Sequence, residues 1–117
     1  MFINLKHKEL DVYKLIRELV KETYSVSLKL PADEKFNMVQ QIRRASFSIK
    51  LNLSEGSTRK SITERKRYLE IARGSVVEID AALETAVDLD YFKTKDLELI
   101  GSLLNRCFAM LSKMINT

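Results

Sequence analysis

The chain has 117 residues, 45% of them hydrophobic, with three glycines, one proline, one cysteine and a formal charge of +4. That length suits a single domain over residues 1–117 with its own core. So few turn residues argue against a sheet protein, and a lone cysteine excludes an intrachain disulfide. No apolar run approaches the roughly 20 residues needed to cross a bilayer. The start, Met1-Phe2-Ile3-Asn4-Leu5-Lys6-His7-Lys8, lacks a signal-peptide pattern. A cytoplasmic location away from membranes is expected.

The first helix is predicted over 9–27, where Val12, Ile16, Leu19, Thr23 and Val26 share a face that Tyr13, Val20 and Tyr24 broaden. Leu28-Lys29-Leu30-Pro31 interrupts it. Pro31 with Asp33 and Glu34 suits the first turn of a second helix, predicted over 34–55, and Gly56 is placed as its C-terminal cap. Ser61-Ile62-Thr63-Glu64 has the capping-box pattern and opens a third helix over 62–90. Its Leu69, Ala72, Val76, Ile79, Leu83 and Ala86 alternate steps of three and four, the spacing of bundle packing. Thr94 is placed as the N-cap of a fourth helix over 95–115, where Leu97, Ile100, Leu104, Cys107, Leu111 and Met114 repeat that spacing. Four helices with short links predict an all-α, antiparallel up-down-up-down four-helix bundle. Cys107 reads as a small core residue.

Helix two carries an unusual polar stripe. At 100° per residue, Gln41, Arg44, Ser48, Asn52 and Glu55 share one arc between Met38, Ile42, Ala45, Ile49 and Leu53 on one side and Phe47 and Leu51 on the other. The sector of Arg43, Ser46, Lys50 and Ser54 is left for water. The surplus apolar surface, and the small-residue stripe of Gly74, Glu78, Ala81 and Thr85 on helix three, point to self-assembly. A mid-helix glycine costs about 1 kcal/mol relative to alanine and calls for a close-packed neighbour. Antiparallel pairing sets Arg44 near Glu78, so an Arg44–Glu78 ion pair is expected, with Gln41, Ser48 and Asn52 satisfying nearby groups.

The net charge is unevenly distributed: +1 over residues 1–42, +6 over 43–73 and −3 over 74–117. Arg43, Lys50, Arg59, Lys60, Arg65, Lys66, Arg67 and Arg73 form a candidate nucleic-acid surface on helix two, the link and the first half of helix three. The N-terminus of helix three adds free N–H groups that favour an anion. Contacts of this kind would hold RNA or DNA by its backbone. The competing reading is a solvated face balanced by Glu64 and Glu70. Tyr68 is the only aromatic in the set, which gives no support to base stacking, and no helix-turn-helix or zinc-finger signature is present.

Enzyme readings find little support. His7 is the single histidine and has no cysteine near it, so a zinc or Cys-His site lacks ligands. Glu84, Asp88 and Asp90 read as a solvated helix end, and the Glu-x-x-His pairs of di-iron bundles are missing. Glu55 and Glu78 suit structural pairing better than acid–base work. No cofactor, no metal and no catalytic residue is expected.

Gln41-Ile42-Arg43-Arg44-Ala45, Ser48-Ile49, Asn52, Glu55-Gly56, Arg59, Ser61 and Tyr68-Leu69-Glu70-Ile71-Ala72-Arg73-Gly74-Ser75 with Glu78 together carry a resemblance. Over roughly Leu10 to Met114 the chain resembles the four-helix-bundle proteins encoded in bacterial 23S rRNA intervening sequences, also described as an S23-type family. It departs from the usual pattern at Lys50-Leu51, Leu53-Ser54 and Phe36-Asn37-Met38, which touch helix detail. The resemblance implies a cytoplasmic bundle assembled as a homo-oligomer, commonly a pentamer, in a family without an established activity. It also implies kinship with an accessory bundle of retroelement reverse transcriptases that binds nucleic acid and protein. Two functions are therefore in play: a non-catalytic nucleic-acid accessory, or a protein-interaction scaffold with no direct nucleic-acid role.

Overall fold

The structure, a computed structural model, describes all residues 1–117. Four helices run α1 Asp11–Ser27, α2 Met38–Ser57, α3 Ile62–Asp88 and α4 Glu98–Ile115, and there are no strands. Each helix packs on its two neighbours around the ring, with the α2–α3 pair the most extensive. This is the antiparallel four-helix bundle that the periodicity requires. The seam residues read from the sequence fill the core: Ile16, Leu19, Ile42, Ile49, Ile79, Ile100, Cys107 and Leu111 are all removed from water. Burying an aliphatic side chain of this size stabilises by about 1.5–3 kcal/mol.

Helix ends are set by local hydrogen bonds. Ser61 accepts from the Glu64 amide at 3.3 Å and caps α3. Thr94 does not cap α4; it opens a short 3-10 turn, Thr94–Leu97, and the Lys93 amide donates to Asp96 at 2.9 Å. The second helix begins at Met38, later than expected from Pro31 and the acidic pair. Residues Ala32–Glu34 form a separate 3-10 turn, and the Glu34 carboxylate reaches forward to accept from the Met38 amide. The other oxygen of Glu34 accepts from the Tyr91 hydroxyl at 2.8 Å, tying the first link to the third.

Gly56 is not a cap. It lies inside the last turn of α2, and a Cβ built there would stand 2.7 Å from Tyr68 Cβ, so the glycine lets α2 and α3 approach backbone to side-chain root. The left-handed residue that ends a helix is instead Asp90, with φ of 63°. It follows α3, and the Tyr91 amide returns to the Ala86 carbonyl at 2.9 Å, a Schellman closure.

The outward side of α2 is the reverse of the expectation. Ser46 is fully buried and Arg43, Lys50 and Ser54 are half-buried against α1, whereas Phe47 and Leu51 are 49% and 43% exposed. A bundle helix has two neighbours, and periodicity does not say which flank each covers. Serines are small enough for the α1 flank, and the Arg43 and Lys50 stems lie along it with their charges toward the rim.

Candidate nucleic-acid interface

The polar stripe on α2 is largely the seam with α3. Gln41 Nε2 donates to Glu78 at 3.1 Å, the Asn52 amide donates to the Ser48 carbonyl and hydroxyl at 2.8 and 3.0 Å, and Ser75 donates to the Ser48 hydroxyl at 3.2 Å. The Asn52 bonds stay within α2, and the Gln41–Glu78 and Ser75–Ser48 bonds cross to α3, aligning the two helices that carry most of the basic residues. The expected Arg44–Glu78 ion pair is not formed. Arg44 lies on the exposed arc with no protein partner, and the shorter Gln41, nearer α3, takes the Glu78 carboxylate. Glu55 is also exposed and stands 3.9 Å from Arg59. Gly74 faces open space, with no atom within 4 Å of an added Cβ. Nothing within the chain offsets its helix cost.

The eight candidate cations do not form one surface. Arg43 belongs to the α1–α2 flank: its Nε donates to Ser27 at 2.8 Å and its guanidinium lies 4.9 Å from the Tyr24 ring centre. Lys50 lies on the same flank, 5.9 Å from the Tyr13 ring. Arg73 turns the other way, to α4, where it donates to Ser112 at 3.1 Å beside Phe108. The remaining five, Arg59, Lys60, Arg65, Lys66 and Arg67, gather at the α2–α3 turn and the first turns of α3.

Two hydrogen bonds shape that cluster. The Arg59 guanidinium donates to the Tyr68 hydroxyl at 2.9 Å and lies over its ring, and the bond to Tyr68 helps hold the Arg59 pKa above its ordinary value. Arg65 Nε donates to the Arg59 carbonyl, which fixes the turn while its terminal nitrogens stay unpaired. Only one ion pair, Arg59 with Glu55, offsets any of the five charges.

The sequence reading missed the N-terminal contribution. Residues Lys6–Glu9 form a 3-10 turn at the same end of the bundle, and Lys6 and His7 line a cleft shared with Arg65. His7 is not a free surface histidine: it is buried edge-on to Tyr13 with ring centres 5.1 Å apart, and burial, then the charge of Lys8, lowers its pKa. The available signal was topological, since an antiparallel bundle puts the start of α1 beside the end of α2.

The opposite end is acidic. Asp80, Glu84, Asp88 and Glu98 line a groove between α3 and α4, but no three His, Cys, Asp or Glu side chains come close enough to hold a metal. Cys107 is fully buried in the core, and burial pushes its thiol up to about 12. No helix is long and apolar enough to cross a membrane.

Fold and charge together define a small antiparallel helical bundle with one strongly cationic end. Comparison with known proteins agrees with that class and narrows it. The profile of the 23S rRNA-intervening sequence protein family matches residues 8–113, and the chain belongs to that family. Among similar solved structures is a protein of unknown function from the S23 ribosomal protein family of Bacteroides thetaiotaomicron. It is 24% identical, with a TM-score of 0.82, over 91% of this chain and 99% of that one. At this identity the likeness speaks for the fold. No protein in the curated set matches the chain.

Proposed function

We propose that the protein is a non-catalytic, self-assembling bundle that holds RNA or DNA by its phosphates at the cationic end. The observation that carries this reading is the gathering of Arg59, Lys60, Arg65, Lys66 and Arg67 around one turn, with a single ion pair among them. Each Lys or Arg that neutralises a phosphate releases counterions, so such binding is strong at low salt and indifferent to sequence. Arg43, Lys50 and Arg73, engaged elsewhere, contribute at most at the edges. Membership of a family named for rRNA intervening sequences supports the choice of polyanion.

Self-assembly is supported by the outer face of α2 and α3. Phe47, Leu51 and Ile71 are each between 43% and 49% exposed, and Gly74 offers a site where another backbone can approach closely. A second copy covering this face would offset the glycine's cost and dry three large side chains. The expected assembly is the ring of five that the resemblance implies, which would repeat the cationic cluster around an axis. Its working address is the cytoplasm.

The test is to titrate structured RNA and duplex DNA against the purified protein at two salt concentrations. Replacing Arg65, Lys66 and Arg67 by Glu is expected to abolish binding and leave the oligomer intact. Absence of binding even at low salt would refute the reading and favour a scaffold that meets an acidic protein. Gly74→Leu is expected to weaken assembly while the single chain still folds, because the added side chain meets nothing within the chain.

A further inference from the structure

The cleft that joins the N-terminal turn to the cationic cluster measures about 270 Å³. Leu10, Leu69 and Met114 supply apolar surface, Lys6 and Arg65 supply positive charge, and His7 completes the lining. His7 is 93% buried by its 7% exposure, and its Nε2 is the one buried side-chain nitrogen or oxygen in the molecule without a hydrogen-bond partner. A polar atom shut away from water is disfavoured unless something supplies the partner. Neither Lys6 nor Arg65 is paired with a carboxylate, and the terminal nitrogens of Arg65 are unused.

The cleft thus offers a greasy floor and two unpaired cations, and His7 forms part of its wall with an unsatisfied Nε2 that is closed to water, so a ligand reaches that nitrogen only by turning the ring. That combination suits a ligand with a flat apolar body and a compact anion. Its volume falls just under the usual range of ligand sites, which run from about 300 Å³ upward, and so limits the occupant to a single nucleotide unit. A terminal phosphate carries about −1.5 to −2 charges near neutral pH, whereas an internal diester carries one, so two cations and an imidazole favour the former.

We propose that this cleft binds a nucleotide phosphomonoester, with the base on Leu10, Leu69 and Met114 and the phosphate between Lys6, Arg65 and His7 Nε2. The inference rests on the nucleic-acid reading of the cationic end, with which the cleft shares Arg65, and it gives that surface a preference for phosphorylated strand termini. The same chemistry is presented by a free mononucleotide.

The experiment measures binding of short single-stranded RNAs to the full chain by fluorescence anisotropy. The strands carry a 5′-phosphate, a 3′-phosphate or only hydroxyl ends, and AMP serves as competitor and as a separate titrant. A phosphorylated strand is expected to bind about tenfold more tightly than the hydroxyl strand, a difference AMP erases. Lys6→Gln and His7→Leu are each expected to remove the preference, with the phosphorylated strand losing far more affinity than the hydroxyl strand. Lys6 is exposed and outside the core, so its variant keeps the test valid if His7→Leu folds poorly. AMP binding that Lys6→Gln weakens, without any strand preference, sustains the site and assigns it to the free nucleotide. Equal affinity for all strands together with no AMP binding overturns the proposal, as does a preference that survives both variants. If the hydroxyl strand fails to bind at low salt, the broader function fails, and the AMP titration alone decides the cleft.

Discussion

Gly56→Ala isolates the closest approach in the bundle. The added Cβ would stand 2.7 Å from Tyr68 Cβ, against 3.4 Å or more for ordinary contact. Rotating Tyr68 about χ1 does not move its own Cβ, so relief requires α2 and α3 to separate. Forcing extra atoms into a packed site costs about 1–3 kcal/mol, while alanine recovers about 1 kcal/mol of helix propensity. Gly101→Ala in α4 is the natural control, since it has a similar propensity gain and nothing within 4 Å to strike. The difference between the two variants is therefore the clash itself, about 1–3 kcal/mol, with Gly101→Ala the more stable. Urea unfolding followed by circular dichroism at matched protein concentration measures it. Tyr68→Ala retains the offending atom and should not rescue Gly56→Ala, whereas Tyr68→Gly should show positive coupling in a double-mutant cycle. Equal unfolding free energies for the two alanine variants would refute the close-packing argument.

Other consequences follow from single residues. Asp90 holds a left-handed conformation at the end of α3, so Asp90→Gly is expected to stabilise by about 1 kcal/mol and Asp90→Val to destabilise, both read by thermal unfolding. His7 is buried with its pKa held below 6.5, so the unfolded chain binds the proton more readily. The stability this confers is complete above about pH 6.5 and lost as pH falls from there through the folded value; His7→Phe should flatten that part of the pH profile, and an unchanged slope would contradict the assignment. Cys107, with its thiol pushed up to about 12, should react with a thiol reagent at pH 8 only as fast as the chain opens, and rapid labelling of the folded protein would place it outside the core.

The fold was legible because its signal is periodic. Leu69, Ala72, Val76, Ile79, Leu83 and Ala86 each fall in the core, as spacing alone requires, and so do Ile100, Leu104, Cys107 and Leu111. The site was legible only in part, for two physical reasons. Spacing locates the buried face of a helix but does not say which flank meets which neighbour, so it leaves Arg43 and Lys50 facing solvent, whereas they lie along α1. Arg73, equally basic in sequence, turns to α4. The other reason is reach: a half-buried polar stripe needs partners, but whether Gln41 or Arg44 reaches Glu78 depends on sub-turn geometry that no pattern encodes. Lys6 and His7 escaped because they meet Arg65 only after α2 has folded back along α1 and the chain has turned into α3.

The same folding back turns a bias along the sequence into a polarity along the bundle, with Lys6, Arg59, Lys60, Arg65, Lys66 and Arg67 at one end and Asp80, Glu84, Asp88 and Glu98 toward the other. A polyanion approaching such a molecule is drawn to one end and repelled from the other, so orientation is set before contact. The longest dimension is 45 Å, whereas charges are screened beyond about 8 Å at physiological salt and about 30 Å at 0.01 M. The acidic groove should therefore influence nucleic-acid binding only when salt is low. Neutralising Glu84, Asp88 and Glu98 to their amides is expected to raise the association rate at 0.01 M salt and leave affinity at 0.15 M unchanged, as stopped-flow and equilibrium titrations would show. An equal gain at both salt concentrations would mean that the groove lies within contact range of the bound strand, and that the cationic end is not where the strand is held.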